Sequence, residues 1–251
     1  MLKKKLSVLV VMAMIFAMVF GACGDLGDLD ISGLLGGGDP DITGLSDLPG
    51  ENPDGQESNP DYPDGVEPGP GIYEVGDEGP RGGIIFYAPD EGFTVEGYGN
   101  PGDPGYFATY TAYYLEAAPN NTGQRRWGTL GVDIGGTETA IGTGRKNTAI
   151  IHAHSDGTPA ASACVTLDTG DRTDWFLPSR YELIELCKYW YDNGKPADLN
   201  FTTGLFWSSS QYSESEAYSQ SISTYGDYSD DEAGTNSKAM TIVNIRAIRA
   251  F

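Results

Sequence analysis

Between residues 24 and 71 the chain carries twelve Asp or Glu, no Lys or Arg, and a dense scatter of Gly and Pro (GGGDPD, GENPDG, NPDYPDG, EPGPG). Such a stretch offers too little apolar surface to offset the chain entropy lost on folding. It reads as a flexible tether whose like charges repel and extend it. Its Asp-Gly steps permit weak calcium association, but they lack the regular ligand spacing of a calcium loop. The part of the chain able to build a core therefore runs from about Ile72 to Phe251.

The first 22 residues (MLKKKLSVLVVMAMIFAMVFGA) read as an export signal. Lys3, Lys4 and Lys5 form its basic head, and Leu6 to Phe20 form an apolar run too short to span a bilayer comfortably. Gly21-Ala22 then lead directly into Cys23. This order resembles the bacterial lipoprotein signal, although Phe20 stands where that signal usually has Leu, Val or Ile. The resemblance implies that Cys23 is acylated and becomes the mature N-terminus. That gives a cell-envelope protein, anchored to the membrane by lipid and facing the periplasm or exterior. The competing reading is an ordinary cleaved signal followed by an incidental cysteine. The expected organisation is thus a signal over 1–22, an acidic tether over 23–71 and a folded domain over 72–251.

Loss of residues 1–22 removes three lysines and no acid, which leaves 36 acidic and 12 basic residues and a net charge of −24. Nucleic acid and anionic lipid surfaces are poor partners for such a chain, because phosphate binding needs clustered Lys and Arg. Two cysteines, Cys164 and Cys187, follow Cys23. In an exported protein they either form one disulfide or remain two buried thiols, and spacing alone does not decide.

Within the domain, GGIIFYA (82–88) reads as a strand, and the aromatic run YFATYTAYYLEAA (106–118) as one or two strands. Residues 119–146 read as loops holding Trp127, and NTAIIHAHS (147–155) suits helix or strand. TPAASACVTLD (158–168) reads as a helix capped by Thr158 with Pro159 in first position. Ser179 and Glu182 form a capping box, followed by an apolar stripe of Leu183, Leu186, Cys187 and Trp190 and ended by Asn193-Gly194. Trp175 and Leu177 are expected to pack beneath that helix. GLFWSSSQ (204–211) and EAYSQSIS (216–223) read as strands, as does the whole of MTIVNIRAIRAF (240–251). In the last, Val243, Ile245 and Ala247 share one face, with Ile242, Asn244 and Arg246 on the other. Strands at both ends with helices between them give an α+β class and a mostly antiparallel sheet.

Several motifs suggest chemistry. LGVDIGGTETA (130–140) resembles the phosphate-binding segment of sugar kinases, but no second nucleotide motif accompanies it, and its glycines read as turns. GTGRKN (142–147) lacks the Ser or Thr that follows Lys in a phosphate-binding loop. His152, His154 and Asp156 would share a face on a strand and diverge on a helix. Trp207 beside Ser208, Ser209 and Ser210 joins an aromatic face to hydroxyls. Trp207, Ser209 and Trp127 are therefore the candidate ligand-binding residues, with a core Trp and structural serines as the alternative.

Six blocks occur in order: GDEGPRGGIIFY (76–87), YLEAAP (114–119), IGTGRKNTAII (141–151), DWFLPSRYEL (174–183), FWSSSQ (206–211) and IRAIRAF (245–251). Together they resemble the Lcl C-terminal domain family of bacterial envelope proteins. The resemblance implies a C-type-lectin-like fold: a twisted, mostly antiparallel sheet, two helices and neighbouring chain ends. It implies a non-enzymatic adhesion module that takes a glycan or a surface protein and needs no cofactor. The calcium-lectin motifs Glu-Pro-Asn and Trp-Asn-Asp are absent, with Ala118-Pro119-Asn120 and Trp207-Ser208-Ser209 in nearest likeness. DWFLPSRYEL also resembles a strip of the formylglycine-generating enzymes, which supplies an enzymatic alternative resting on an exposed, reactive cysteine pair. A purely structural envelope protein is the third reading.

Overall fold

The computed structural model describes residues 69–154, 158–168, 174–196, 199–225 and 233–251, all within the unit Glu51–Phe251. The signal 1–22, Cys23, the tether as far as residue 68 and Asp156 lie outside these residues. Among the described residues the chain forms eight strands and three helices. In order they are β1 (Ile84–Tyr87), β2 (Phe93–Val95), β3 (Tyr110–Ala112), β4 (Leu115–Ala117), α1 (Gly144–Ala153), α2 (Pro159–Val165), α3 (Arg180–Asp192), β5 (Gly204–Gln211), β6 (Glu216–Ile222), β7 (Ala233–Ser237) and β8 (Ile248–Ala250). The strands pair as β1-β4-β8, β2-β3 and β5-β6-β7, antiparallel throughout. This is an α+β fold with small antiparallel sheets.

α3 forms for the reasons its sequence gives. Ser179 Oγ accepts from the Glu182 amide at 3.3 Å, and Glu182 Oε2 accepts from the Ser179 amide at 2.7 Å. Leu183, Leu186, Cys187 and Trp190 are buried together against Phe86, Leu115, Phe206 and Ile248. Each such side chain contributes about 1.5–3 kcal/mol by leaving water. Asn193 and Gly194 end the helix, the glycine at φ 72°.

The same Glu182 does more than cap its own helix. Its Oε1 accepts from the amides of Gly142 at 2.8 Å and Gly144 at 3.4 Å, which open α1. The approach is so close that a Cβ on Gly144 would lie 2.1 Å from Glu182 Oε2, so only glycine fits. α1 accordingly starts at Gly144, ahead of Asn147. The Asn147 side chain clamps residue 138: Oδ1 accepts from the Glu138 amide at 2.8 Å and Nδ2 donates to the Glu138 carbonyl at 2.6 Å.

The strip DWFLPS runs between two cores. Extended backbone sends neighbouring side chains to opposite faces. Phe176 joins the α3 core, whereas Trp175 and Leu177 pack with Ile151, Ala160, Ala161, Cys164 and Trp207. Trp175 and Leu177 therefore lie with α1 and α2, and Phe176 takes the expected place beneath α3.

The C-terminal segment is buried from Val243 to Phe251, but only Ile248–Ala250 is a strand. The segment changes partners partway: Trp207 N donates to Asn244 O at 3.1 Å, Phe176 and Ile248 exchange backbone bonds, and β8 then pairs with β4. Val243, Ile245 and Ala247 do share one core, as their alternation requires. Arg246 on the opposite face is buried, with Nε on Asn121 Oδ1 at 2.8 Å, Nη2 on Leu199 O at 2.6 Å and Nη1 on Ala118 O. Its guanidinium sits 4.6 Å from the Phe201 ring centre. Burial lowers its pKa to about 9, which leaves it charged at neutral pH.

Glu182→Ala should cost about 3 kcal/mol or more in urea unfolding, because three buried amides lose their acceptor. Burial also pushes the Glu182 carboxyl up to about 7, against the amides that hold it down. A carboxyl raised above its unfolded value stabilises the fold fully below that unfolded value and loses the effect as pH rises through the folded one. The urea midpoint should therefore fall between pH 5 and pH 8, and Glu182→Gln should flatten that slope; an unchanged slope in the variant would exclude Glu182 as its source.

Candidate ligand cleft

The loop between β2 and β3 is held in shape by its own hydrogen bonds. Tyr98 and Phe107 exchange backbone bonds at 2.9 and 3.2 Å, and Asp103 Oδ2 accepts from the Asn100 amide at 2.8 Å. The loop carries Tyr98, Tyr106 and Phe107 opposite the α1 residues Arg145, Thr148 and His152, with Asp174, Trp175 and Phe176 between them. These surfaces enclose an open cleft of about 570 Å³, of a size that holds a small ligand. Tyr106 keeps 39% of its surface exposed.

Arg145 is positioned before any ligand arrives. It leaves the first turn of α1, directly after Gly144 of the Glu182 cluster. Its guanidinium lies 4.2 Å from the Phe107 ring centre and 5.5 Å from that of Tyr110. Nη1 donates to Tyr110 Oη at 3.2 Å, and Tyr110 Oη donates to Ala250 O at 3.0 Å. Burial, ahead of the opposing effect of Arg145, raises the Tyr110 pKa. Stacking on aromatic faces holds an arginine fork in place and leaves its outer N–H groups available.

Asp174 is fixed from behind. Arg249 Nε and Nη2 meet its Oδ2 at 3.0 and 2.9 Å, and Arg249 Nη1 reaches Glu116 Oε2 at 3.3 Å. Glu116 Oε1 also accepts from the amides of Arg81 and Gly83 at 3.1 and 2.9 Å. Burial raises the Glu116 pKa, while Arg249 and these amides oppose the rise. Asp174 Oδ1 is buried with no hydrogen-bond partner. His152 Nδ1 and Ser162 Oγ lie within hydrogen-bond distance at 3.2 Å.

The residues singled out from sequence as a ligand surface belong to the interior. Trp127, Trp207 and Ser209 are fully buried. Trp207 Nε1 donates to Arg125 O at 2.9 Å, and Trp127 Nε1 to Ser208 O at 2.8 Å. Ser209 Oγ accepts from Asn147 Nδ2 at 3.1 Å, Ser208 Oγ donates to Tyr218 O at 2.9 Å and Ser210 Oγ to Glu138 O at 2.6 Å. The reason is topological: β5 lies between β6 on one side and Asn244 on the other, and the Ser209 amide bonds Pro178 O at 2.7 Å. No edge remains for a ligand.

The other motifs resolve in the same direction. Cys164 and Cys187 are both buried, in different cores, and no disulfide joins them. Burial pushes the Cys164 thiol well above its ordinary range, the reverse of activation. His152 lies in the last turn of α1 and His154 caps that helix in extended backbone, so the two are not successive positions on one face of a strand. Among the described residues no group of three or more His, Cys, Asp or Glu is placed to hold a metal ion. Asp133 of the glycine-rich 130–140 segment receives Gln211 Nε2 at 2.5 Å, and the Ile134 amide donates to Gln211 Oε1 at 2.9 Å. That segment is a cover over the end of β5.

The sequence did hold one sign of the cleft: Tyr98, Tyr106, Phe107 and Tyr110 crowd into a Gly/Pro-rich stretch where core aromatics are out of place. No protein-family model matches the chain, and a search of curated proteins also finds no match.

Two substitutions separate interior from cleft. Trp207→Ala should lose about 3–5 kcal/mol in urea unfolding, whereas Tyr106→Ala should lose less than about 1 kcal/mol. Equal, small losses would return Trp207 to the surface.

Proposed function

We propose that residues 72–251 form a non-enzymatic ligand-binding or adhesion module of C-type-lectin-like architecture, displayed on an acidic tether from a lipid-bearing Cys23 at the bacterial cell envelope. The proposed ligand is a glycan or a surface protein bearing one, seated in the cleft between the 96–109 loop and α1. The observation that carries this reading is the pairing of the exposed Tyr106 ring and the half-buried Tyr98 and Phe107 rings with the fixed guanidinium of Arg145 in one open cleft. Sugar rings present apolar faces that stack on aromatic rings and hydroxyls that need placed polar partners.

The lectin-like architecture is supported by the six ordered blocks resembling the Lcl C-terminal domain and by the neighbouring ends of the described domain. Tyr73 and Phe251 stack edge to face at 6.0 Å, and the Tyr113 amide donates to Phe251 O at 2.8 Å. The enzymatic alternative has less support, because the cysteine pair it requires is buried in two separate cores.

The protein should bind discrete members of a glycan array, and Tyr106→Ala should reduce that binding at least about tenfold without unfolding the domain. Silence across the array, or binding indifferent to Tyr106, would overturn the assignment. Radiolabelled palmitate should enter the chain and be lost in Cys23→Ala; undiminished label in that variant would remove the anchor.

A further inference from the structure

Arginine and lysine are scarce here, 15 against 36 acids, and most described cations with a role in the fold are committed to it. Lys146 bridges Glu96 and Glu138 at 2.7 and 2.9 Å, Lys188 meets Glu185 at 2.9 Å, and Arg249 joins Glu116 to Asp174. Arg246 is spent on Asn121 and two carbonyls, and Lys238 on Val132 O and Gln211 Oε1. Arg145 differs. It lines the cleft, no described carboxylate pairs with it, and Tyr110 Oη takes one of its five N–H groups. Its flat face is stacked on Phe107, which orients the fork without neutralising it. In the same cleft wall Asp174 offers no comparable group, since Arg249 holds one carboxylate oxygen and the other is closed off from solvent.

We infer that the cleft selects a small unit that joins a single carboxylate to an apolar ring face, with the carboxylate on Arg145 and the ring against Tyr106 and Phe107. This rests on the cleft being the binding site and adds the charge class of what enters it. The charge balance of the chain supports one carboxylate over many. A polyanion would meet the field of a strongly acidic protein along its whole length. A single carboxylate seated on Arg145 is screened from charges beyond about 8–10 Å at physiological salt. An acidic sugar and an aromatic acid both carry the required chemistry.

Isothermal titration of the protein with glucuronate, glucose, phenylacetate and phenylacetamide separates the two sources and tests the charge. At least one acid should bind, and its neutral counterpart should bind at least about tenfold more weakly, the scale of a charge-assisted pair. Arg145→Gln should erase that gap, Arg145→Lys should keep part of it, and Tyr106→Ala should weaken acid and neutral probe alike. Far-UV circular dichroism confirms that each variant is folded. Glucuronate alone showing the gap assigns an acidic sugar, and phenylacetate alone assigns an aromatic acid. Equal binding of acid and neutral probe, unchanged by Arg145→Gln but weakened by Tyr106→Ala, would overturn the carboxylate inference and leave the cleft standing. Failure of all four probes to bind would overturn it as well, while the array result judges the cleft on its own.

Discussion

One buried carboxylate organises the centre of this domain. Glu182 lies at the first turn of α3, accepts the Ser179 amide at its own helix start and the Gly142 and Gly144 amides at the start of α1. Two helices distant in sequence thus share one acceptor. Burying a charge is costly unless it is fully hydrogen-bonded, and three amides supply those bonds. The fit fixes further residues: Gly144 because any Cβ would strike the carboxylate, and Gly142 at φ 90° because a Cβ there would lie 1.9 Å from Thr94 O. Arg145 follows directly, so the position of the cleft's cation depends on a contact made on the far side of the turn.

A second buried set fixes the opposite wall. Arg249 lies across from Glu116 in the β4-β8 ladder and reaches Asp174 on the extended strip that precedes α3. Losing one member of such a set leaves an uncompensated charge, which costs more than the intact pair returns. The strip 174–179 is therefore gripped three times: by Arg249 at Asp174, by Ile248 at Phe176 and by Glu182 at Ser179. It divides the two cores and brings Asp174 to the cleft.

Local chemistry was legible in the sequence and long-range placement was not. The Ser179–Glu182 box, the Asn193-Gly194 stop and the strands at 84–87, 204–211 and 216–222 follow from propensities and spacings that act within a few residues. The second role of Glu182, toward Gly142 and Gly144, spans about 40 residues and left no local mark. Trp207 and its serines looked like a binding strip because sequence does not reveal that β6 closes one flank of β5 while Asn244 and Pro178 close the other. The C-terminal run alternates as a strand should, yet its partners change along its length, and only three residues keep a regular ladder. Arg246 and Arg249 are buried, as arginine seldom is, because backbone carbonyls and acids from distant segments accept their hydrogen bonds. The short β2 and β7 carry no strong pattern and were missed, and with β2 went the loop that forms one side of the cleft.

The claim that Glu182 governs the start of α1, and with it the cleft, is tested most directly by residue-resolved amide hydrogen exchange in Glu182→Gln. The account predicts faster exchange at Gly142, Gly144 and the following turn of α1 through Thr148, with the β5-β6 ladder still protected. Unchanged exchange at Gly142 and Gly144, or a uniform rise across the β5-β6 ladder as well, would contradict it.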